Sequence, residues 1–257
     1  MGDSKAPLAP ERRFAAPSWI TPGDIPTNSR ILAEVFGGCA LCFFESAASL
    51  KYDDRDLPPE LAELPIRWHL HLPCDLPEDN PTAAAEVCLA LEKKARFLAP
   101  ELAALHPPSM GDAARKREYL EIFMSRWRED SSVPLVLENI SSCDLAELGE
   151  DFFDEDGFGV CLDVAHALRY GQRELLRSSL PEKAALVHWS APGDGDMHAS
   201  LANLAGEELA VARGLAPRLS DDAIHLLEIF AFQPAVSSIP ILNDILAGQK
   251  GKPNGQI

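Results

Sequence analysis

Histidines and carboxylates stand at or just beyond the ends of short apolar runs along this chain, where hydrophobic patterning alone gives no reason for them. The runs are Phe43-Phe44-Glu45, Trp68-His69-Leu70-His71, Leu105-His106, Leu137-Glu138, Leu162-Asp163 with His166 following, Val187-His188 with Asp196 and His198 following, and Leu227-Glu228. Taken singly, such a residue is more often a satisfied polar group or a partner of a nearby Arg. Their repeated placement overturns that reading. Imidazole and carboxylate are the ligand types that borderline divalent metals such as Zn or Mn accept, and two or three ions per chain could share bridging carboxylates. A bound cation also explains how like charges coexist away from water.

Two histidines need separate treatment. His225 lies three positions before Glu228, so on a strand it should face away from it and play a structural part. His69 shares a face with His71 one layer deeper, and both the ligand and the core readings stay open. Glu45 is expected to be a substrate contact or general base, or else a salt-bridged inner carboxylate.

These residues can converge only if the apolar runs are arranged around a common centre. Eight strand candidates, at 13–19, 40–45, 66–72, 101–105, 134–139, 158–164, 185–189 and 224–230, recur with helical patterns between most of them. Asn80 caps a helix that opens on Pro81, and an amphipathic run fills 112–130. Thr27 or Asn28 is expected to open the first helix, Ser141 or Ser142 an acidic one, and 237–246 to form the last. This alternation predicts an α/β fold, a single (β/α)8 TIM barrel, ahead of an open doubly wound sheet, for which no Gly-rich dinucleotide fingerprint is present. In such a barrel the carboxyl ends of the strands build the active site, which is where these residues fall.

The chain's 257 residues suit one barrel domain with short polar tails at about 1–12 and 249–257. Its six cysteines are scattered and read as reduced thiols, with the Cys39 and Cys42 pair facing opposite sides of a strand as small hydrophobes. Trp19, Trp68 and Trp189 are expected in the core, with Trp189 a possible wall of a substrate pocket. No apolar run reaches the roughly 18 residues of a membrane span, and the polar, Pro-punctuated start lacks a secretory core, so a cytoplasmic location is expected. The acidic run 150–156 is expected to be a solvated face. A net charge of -17 argues against nucleic acid and anionic membranes as partners and for a small-molecule ligand.

The string Val160-Cys161-Leu162-Asp163-Val164-Ala165-His166-Ala167, with Asp196-x-His198-x-Ser200-Leu201 after His188, resembles the endonuclease IV and xylose-isomerase-like barrel superfamily. In the trinuclear members this resemblance implies His71 and His106 on one metal, with Glu138 bridging to a second. Asp163, His188 and Glu228 would complete the second ion, and His166, Asp196 and His198 would hold a third. Finer motifs are similar to those of cobamide-remodelling phosphodiesterases of the CbiR type: Pro17-Ser18-Trp19, Phe43-Phe44-Glu45-Ser46, His71-Leu72-Pro73-x-Asp75-Leu76, Leu137-Glu138-Asn139-Ile140 and Asp163-x-x-His166-x-x-x-Tyr170-Gly171. That resemblance implies metal-dependent hydrolysis of the phosphoribosyl bond in the nucleotide loop of a corrinoid, with Glu138 and Glu228 serving the reaction as metal ligands and no protein nucleophile. Two other readings remain: a sugar or polyol isomerase or epimerase that uses one ion on the Glu138, Asp163, His188 and Glu228 quartet, and a non-catalytic corrinoid- or metal-binding barrel.

Overall fold

The structure, a computed structural model, describes residues 14–155, 157–194 and 198–247. Its strands are β1 (Ala15–Pro17), β2 (Gly38–Cys42), β3 (Arg67–His71), β4 (Ala103–Leu105), β5 (Leu135–Glu138), β6 (Gly159–Asp163), β7 (Ala184–Trp189), a short pair β8 (Ala191–Pro192) and β9 (His198–Ala199), and β10 (Ile224–Leu227). β1 to β7 and β10 run parallel and close into an eight-stranded barrel, with β1 hydrogen-bonded to both β2 and β10, while β8 and β9 form a separate antiparallel ribbon. The helices are α1 (Ile25–Val35), α2 (Ser46–Ser49), α3 (Pro81–Ala95), α4 (Ala113–Asp130), α5 (Glu150–Glu155), α6 (Val164–Arg169), α7 (Arg173–Arg177), α8 (Gly206–Leu215) and α9 (Phe232–Ala247). The expected (β/α)8 architecture is the one observed.

Strand alternation sorts the side chains into two cores. Ala15, Ala40, Cys42, Ala104, Val136, Cys161, Leu186 and Leu226 fill the barrel interior, while Leu41, Trp68, Leu70, Leu137, Leu162, Val187 and Leu227 pack outward among the helices. Two residues beyond Val136, Cys161, Leu186 and Leu226, the same alternation turns Glu138, Asp163, His188 and Glu228 back toward the axis. The small Ala40 and Ala104 leave room beside them.

Several element boundaries differ from expectation, each for a local reason. Asp24, not Thr27 or Asn28, caps α1 by accepting from Thr27 N at 2.7 Å, while the buried Asn28 amide donates to Thr21 O. Ser141 and Ser142 lie in a tight turn closed by the Ile140–Cys143 bridge, so the acidic segment starts later, with Asp144 capping a 3-10 turn at Leu145–Leu148 ahead of α5. The last helix begins at Phe232, because Pro234 falls in its first turn, where no backbone donor is needed. Strand β2 ends at Cys42, and Ser46 donates to Asp75 through both N and Oγ, drawing the chain into α2 before Glu45 can enter the ladder.

Five cysteines are buried and none is in a disulfide, but Cys74 is exposed. Trp68 and Trp189 are core, whereas Trp19 is 40% exposed and so is not. The acidic face of α5 is solvated as expected, with Asp151 and Asp154 paired to Arg117 and Lys183 and Glu150 accepting from Ser179; Asp156 lies outside the described residues. Among the described residues no helix is long and apolar enough to cross a membrane. The expected tails fall outside the described residues.

Candidate metal centre

The barrel brings eight of the nine expected ligands to its carboxyl end. Glu138, Asp163, His188 and Glu228, each 4% exposed or less, form one group whose ligand atoms all lie within 4.8 Å of one another. His188 Nδ1 is 3.0 Å from Glu228 Oε2 and 3.3 Å from Glu138 Oε2. The same Glu138 oxygen is 3.3 Å from His71 Nε2 and 3.5 Å from His106 Nε2, so Glu138 stands between these histidines and the quartet. Asp163 also belongs to a further group with His166 and His198. Asp196 lies outside the described residues.

Local structure aims these donors. His71 Nδ1 donates to Leu72 O at 3.0 Å, which leaves Nε2 as the free nitrogen. His166 Nδ1 does the same with Asn139 O at 2.9 Å. Asp163 caps α6: one oxygen accepts from His166 N at 2.6 Å, and the other is left without a partner. A buried amide network fixes both, since Asn139 exchanges hydrogen bonds with the Asp163 backbone and donates to Gln172, which in turn donates to Ile140 O. The β8–β9 ribbon returns His198 to the mouth, where its Nδ1 meets Ser190 Oγ at 2.8 Å.

The electrostatics are those of a site built around positive charge. Burial opposes ionisation of Glu138, yet His188 and His106 hold it well below the usual carboxylate range. Glu228 is likewise lowered against burial by His188 and His198. Burial wins at Asp163, pushing it up to about 6. His71, His106 and His188 are desolvated, but nearby anionic groups outweigh that and raise all three. Buried carboxylates this close repel unless a cation lies among them. Glu138 Oε2, Asp163 Oδ2, Glu228 Oε2, His106 Nε2 and both ring nitrogens of His188 are satisfied by no hydrogen bond. An orphaned donor set of imidazoles and carboxylates fits a divalent metal.

The remaining expectations divide. His69 faces the barrel interior below the site, where burial pulls it down to about 3, and it belongs to none of the ligand groups among the described residues. His225 faces outward and accepts from Trp189 Nε1, which is buried with it. Glu45 is not an inner carboxylate: it is exposed on the rim, lining a cavity of about 410 Å³ with Trp19, Phe44 and Tyr52. Cys161, directly beneath the quartet, is pushed up to about 12 by burial, and its sulfur lies within 4.8 Å of ligand atoms of Glu138 and His188.

Sequence reasoning missed two features. Cys74 reaches His71 and His106 closely enough to form a third kind of ligand group. A row of aromatic rings leads away from the centre, with centroids 5.7 Å apart from His198 to Phe230, 5.6 Å from Phe230 to Phe44 and 6.0 Å from Phe44 to Trp19. The Phe44 and Trp19 positions carried a signal, since each is a large apolar residue just past a strand end.

No protein-family model matches the chain, and no curated protein does. Solved structures do. A D-tagatose 3-epimerase-like protein superposes with a TM-score of 0.70 at 18% identity, over 93% of this chain and 98% of that one. Endonuclease IV from Thermus thermophilus gives 0.65 at 18%, over 93% and 99%. A xylose isomerase-like TIM barrel protein from Mycobacterium smegmatis, solved in complex with magnesium, gives 0.62 at 10%, over 93% and 98%. Likeness at these identities shows the fold alone, an eight-stranded TIM barrel shared with these proteins.

Proposed function

We propose that this chain is a metal-dependent phosphodiesterase acting on a small molecule, with the phosphoribosyl bond in the nucleotide loop of a cobamide as its substrate. The observation that carries the reading is the overlap of ligand groups. Glu138 is shared by the His71 and His106 side and the quartet, and Asp163 by the quartet and the His166 and His198 side, which is more donors than one ion can use. A proton transfer between sugar carbons needs a single ion, and the quartet alone would serve it. The histidines on both flanks therefore favour hydrolysis at phosphorus over isomerisation.

In this reading His71, His106 and Glu138 hold one ion, and Glu138, Asp163, His188 and Glu228 another. His166 and His198 hold a third together with Asp163, and Asp196 is the expected further ligand. Divalent ions, Zn or Mn by donor type, supply neutralisation of phosphate oxygens and a lowered pKa for the attacking water. The protein holds the donors in place: Leu72 O and Asn139 O orient the imidazoles, and Asn139 with Gln172 anchors the Asp163 backbone. Trp19, Phe44 and Phe230 offer flat apolar faces to the nucleotide base, and Glu45 on the cavity rim accepts hydrogen bonds from the substrate. The acidic chain disfavours a polyanion, which supports a small molecule over nucleic acid as the substrate.

The test is incubation of metal-loaded protein with a cobamide, with mass spectrometry for the freed nucleoside and metal analysis of the same preparation. Nucleoside release with two or three ions per chain supports the proposal. One ion and no corrinoid cleavage would favour the isomerase reading, and metal or corrinoid binding without turnover the non-catalytic one.

A further inference from the structure

Cys74 differs from every other cysteine of the chain in being exposed, and it sits at the mouth of the barrel. It follows β3 in the segment His71-Leu72-Pro73-Cys74-Asp75, which is held on two sides: Cys74 N donates to Phe44 O at 3.4 Å, and Asp75 accepts from Ser46 N and Oγ. The loop thus presents the thiol in a fixed place. Its Sγ and one ring nitrogen each of His71 and His106 lie within 4.8 Å of one another. Donors in a tetrahedral zinc site lie roughly 3.3 to 3.8 Å apart, so closing in by about 1 Å lets all three share an ion. Glu138, only 1% exposed, turns its unpartnered Oε2 toward both imidazoles, 3.3 and 3.5 Å away. With His71 Nδ1 engaged by Leu72 O, and His106 Nε2 without a hydrogen bond, each imidazole keeps a nitrogen free beside the Glu138 oxygen.

We propose that Cys74 is the fourth protein ligand, as a thiolate, of the ion held by His71, His106 and Glu138. Binding displaces the thiol proton to solvent. Two nitrogens, one oxygen and one sulfur make a tetrahedral set that selects zinc or cobalt(II) and discriminates against magnesium and manganese, whose preference is for oxygen. This position then differs in kind from the Asp163, His166 and His198 side, where the described ligands offer only nitrogen and oxygen. The inference rests on the metal centre, not on the substrate.

Cobalt(II) substitution and thiol titration test it without reference to activity. Wild-type protein loaded with cobalt(II) should show a near-ultraviolet thiolate-to-metal charge-transfer band that C74S lacks, while both keep the visible bands of cobalt(II) on nitrogen and oxygen. One fast-reacting thiol should be titrated in the metal-free protein and disappear on adding zinc. C74S should bind one zinc ion more weakly by at least the 10- to 100-fold that losing an outer hydrogen-bonding partner costs. Because Cys74 is exposed, C74S should fold, and circular dichroism checks this. Cobalt bound without the charge-transfer band, or a thiol that reacts equally fast with zinc present, would overturn the thiolate ligand and leave the metal centre standing. If neither protein binds cobalt, the metal centre falls with it.

Discussion

Glu138 is the residue on which most of the candidate chemistry turns, because one carboxylate oxygen lies within 3.5 Å of His71, His106 and His188. Glu138→Gln keeps the shape and removes the charge. Metal analysis should show the loss of at least one ion per chain, with hydrolysis reduced by more than about 100-fold, beyond the outer-partner effect. The titration of the site gives a second expectation. His71, His106 and His188 have raised pKa values, so in the metal-free chain they contribute stability that is complete below the unfolded value of about 6.5 and is lost as pH rises through their folded values. Metal binding must displace those protons and the one on Asp163, so affinity should rise with pH. Thermal unfolding of the metal-free protein should therefore occur at lower temperature as pH is taken above about 6.5, while the gap between metal-free and metal-loaded protein widens. A gap that narrows would show that the histidines are not the ligands.

Between residue and molecule, the strand ends and the turns after them do the positioning. Asn139 at the tip of β5 and Gln172 before α7 are buried and hydrogen-bonded to each other, and Asn139 also holds the backbone of Asp163 at the end of β6. Gln172→Met is nearly isosteric but leaves the Asn139 amide and Ile140 O short of partners. It should cost about 1–3 kcal/mol in denaturant unfolding, with weakened metal retention at Asp163, His166 and His198. Asn80, which caps α3 by accepting from Ala83 N, is remote from these ligands. Asn80→Ala should cost about 1 kcal/mol and leave metal content unchanged, separating helix stability from site integrity. The cap at Asn80 could be read from Asn-Pro alone because it is local chemistry. That at Asp24 could not, since Thr27 and Asn28 are equally good capping types and only the burial of Asn28 against Thr21 excludes it.

For the whole molecule, closure of the barrel and the acidic surface decide what can approach. The row from His198 through Phe230 and Phe44 to Trp19 ends at the 410 Å³ cavity, giving a substrate a route from the ions to an aromatic wall. If the base of the substrate stacks there, Trp19→Ala should raise KM about 5- to 10-fold with kcat nearly unchanged, as expected for loss of contacts made equally in ground and transition states. A fall in kcat with constant KM would place the base elsewhere. Much of this architecture was legible beforehand. Alternation with a period of two puts Glu138, Asp163, His188 and Glu228 on the inward face of their strands, and the strand-end position puts them at one level of the barrel, so the sequence by itself determined the ring of ligands and the barrel that carries it. What only the tertiary structure decided is which atoms meet. His71 and Glu228 come within 4.0 Å through closure across the barrel, Cys74 joins the histidines because its loop is tied to Phe44 and Ser46, and Trp19 and Glu45 are turned out to the rim where their strands have already ended. Periodicity fixes the direction of a side chain along its own strand. Distances between strands, and the path of the chain once it leaves the ladder, depend on contacts far apart in sequence.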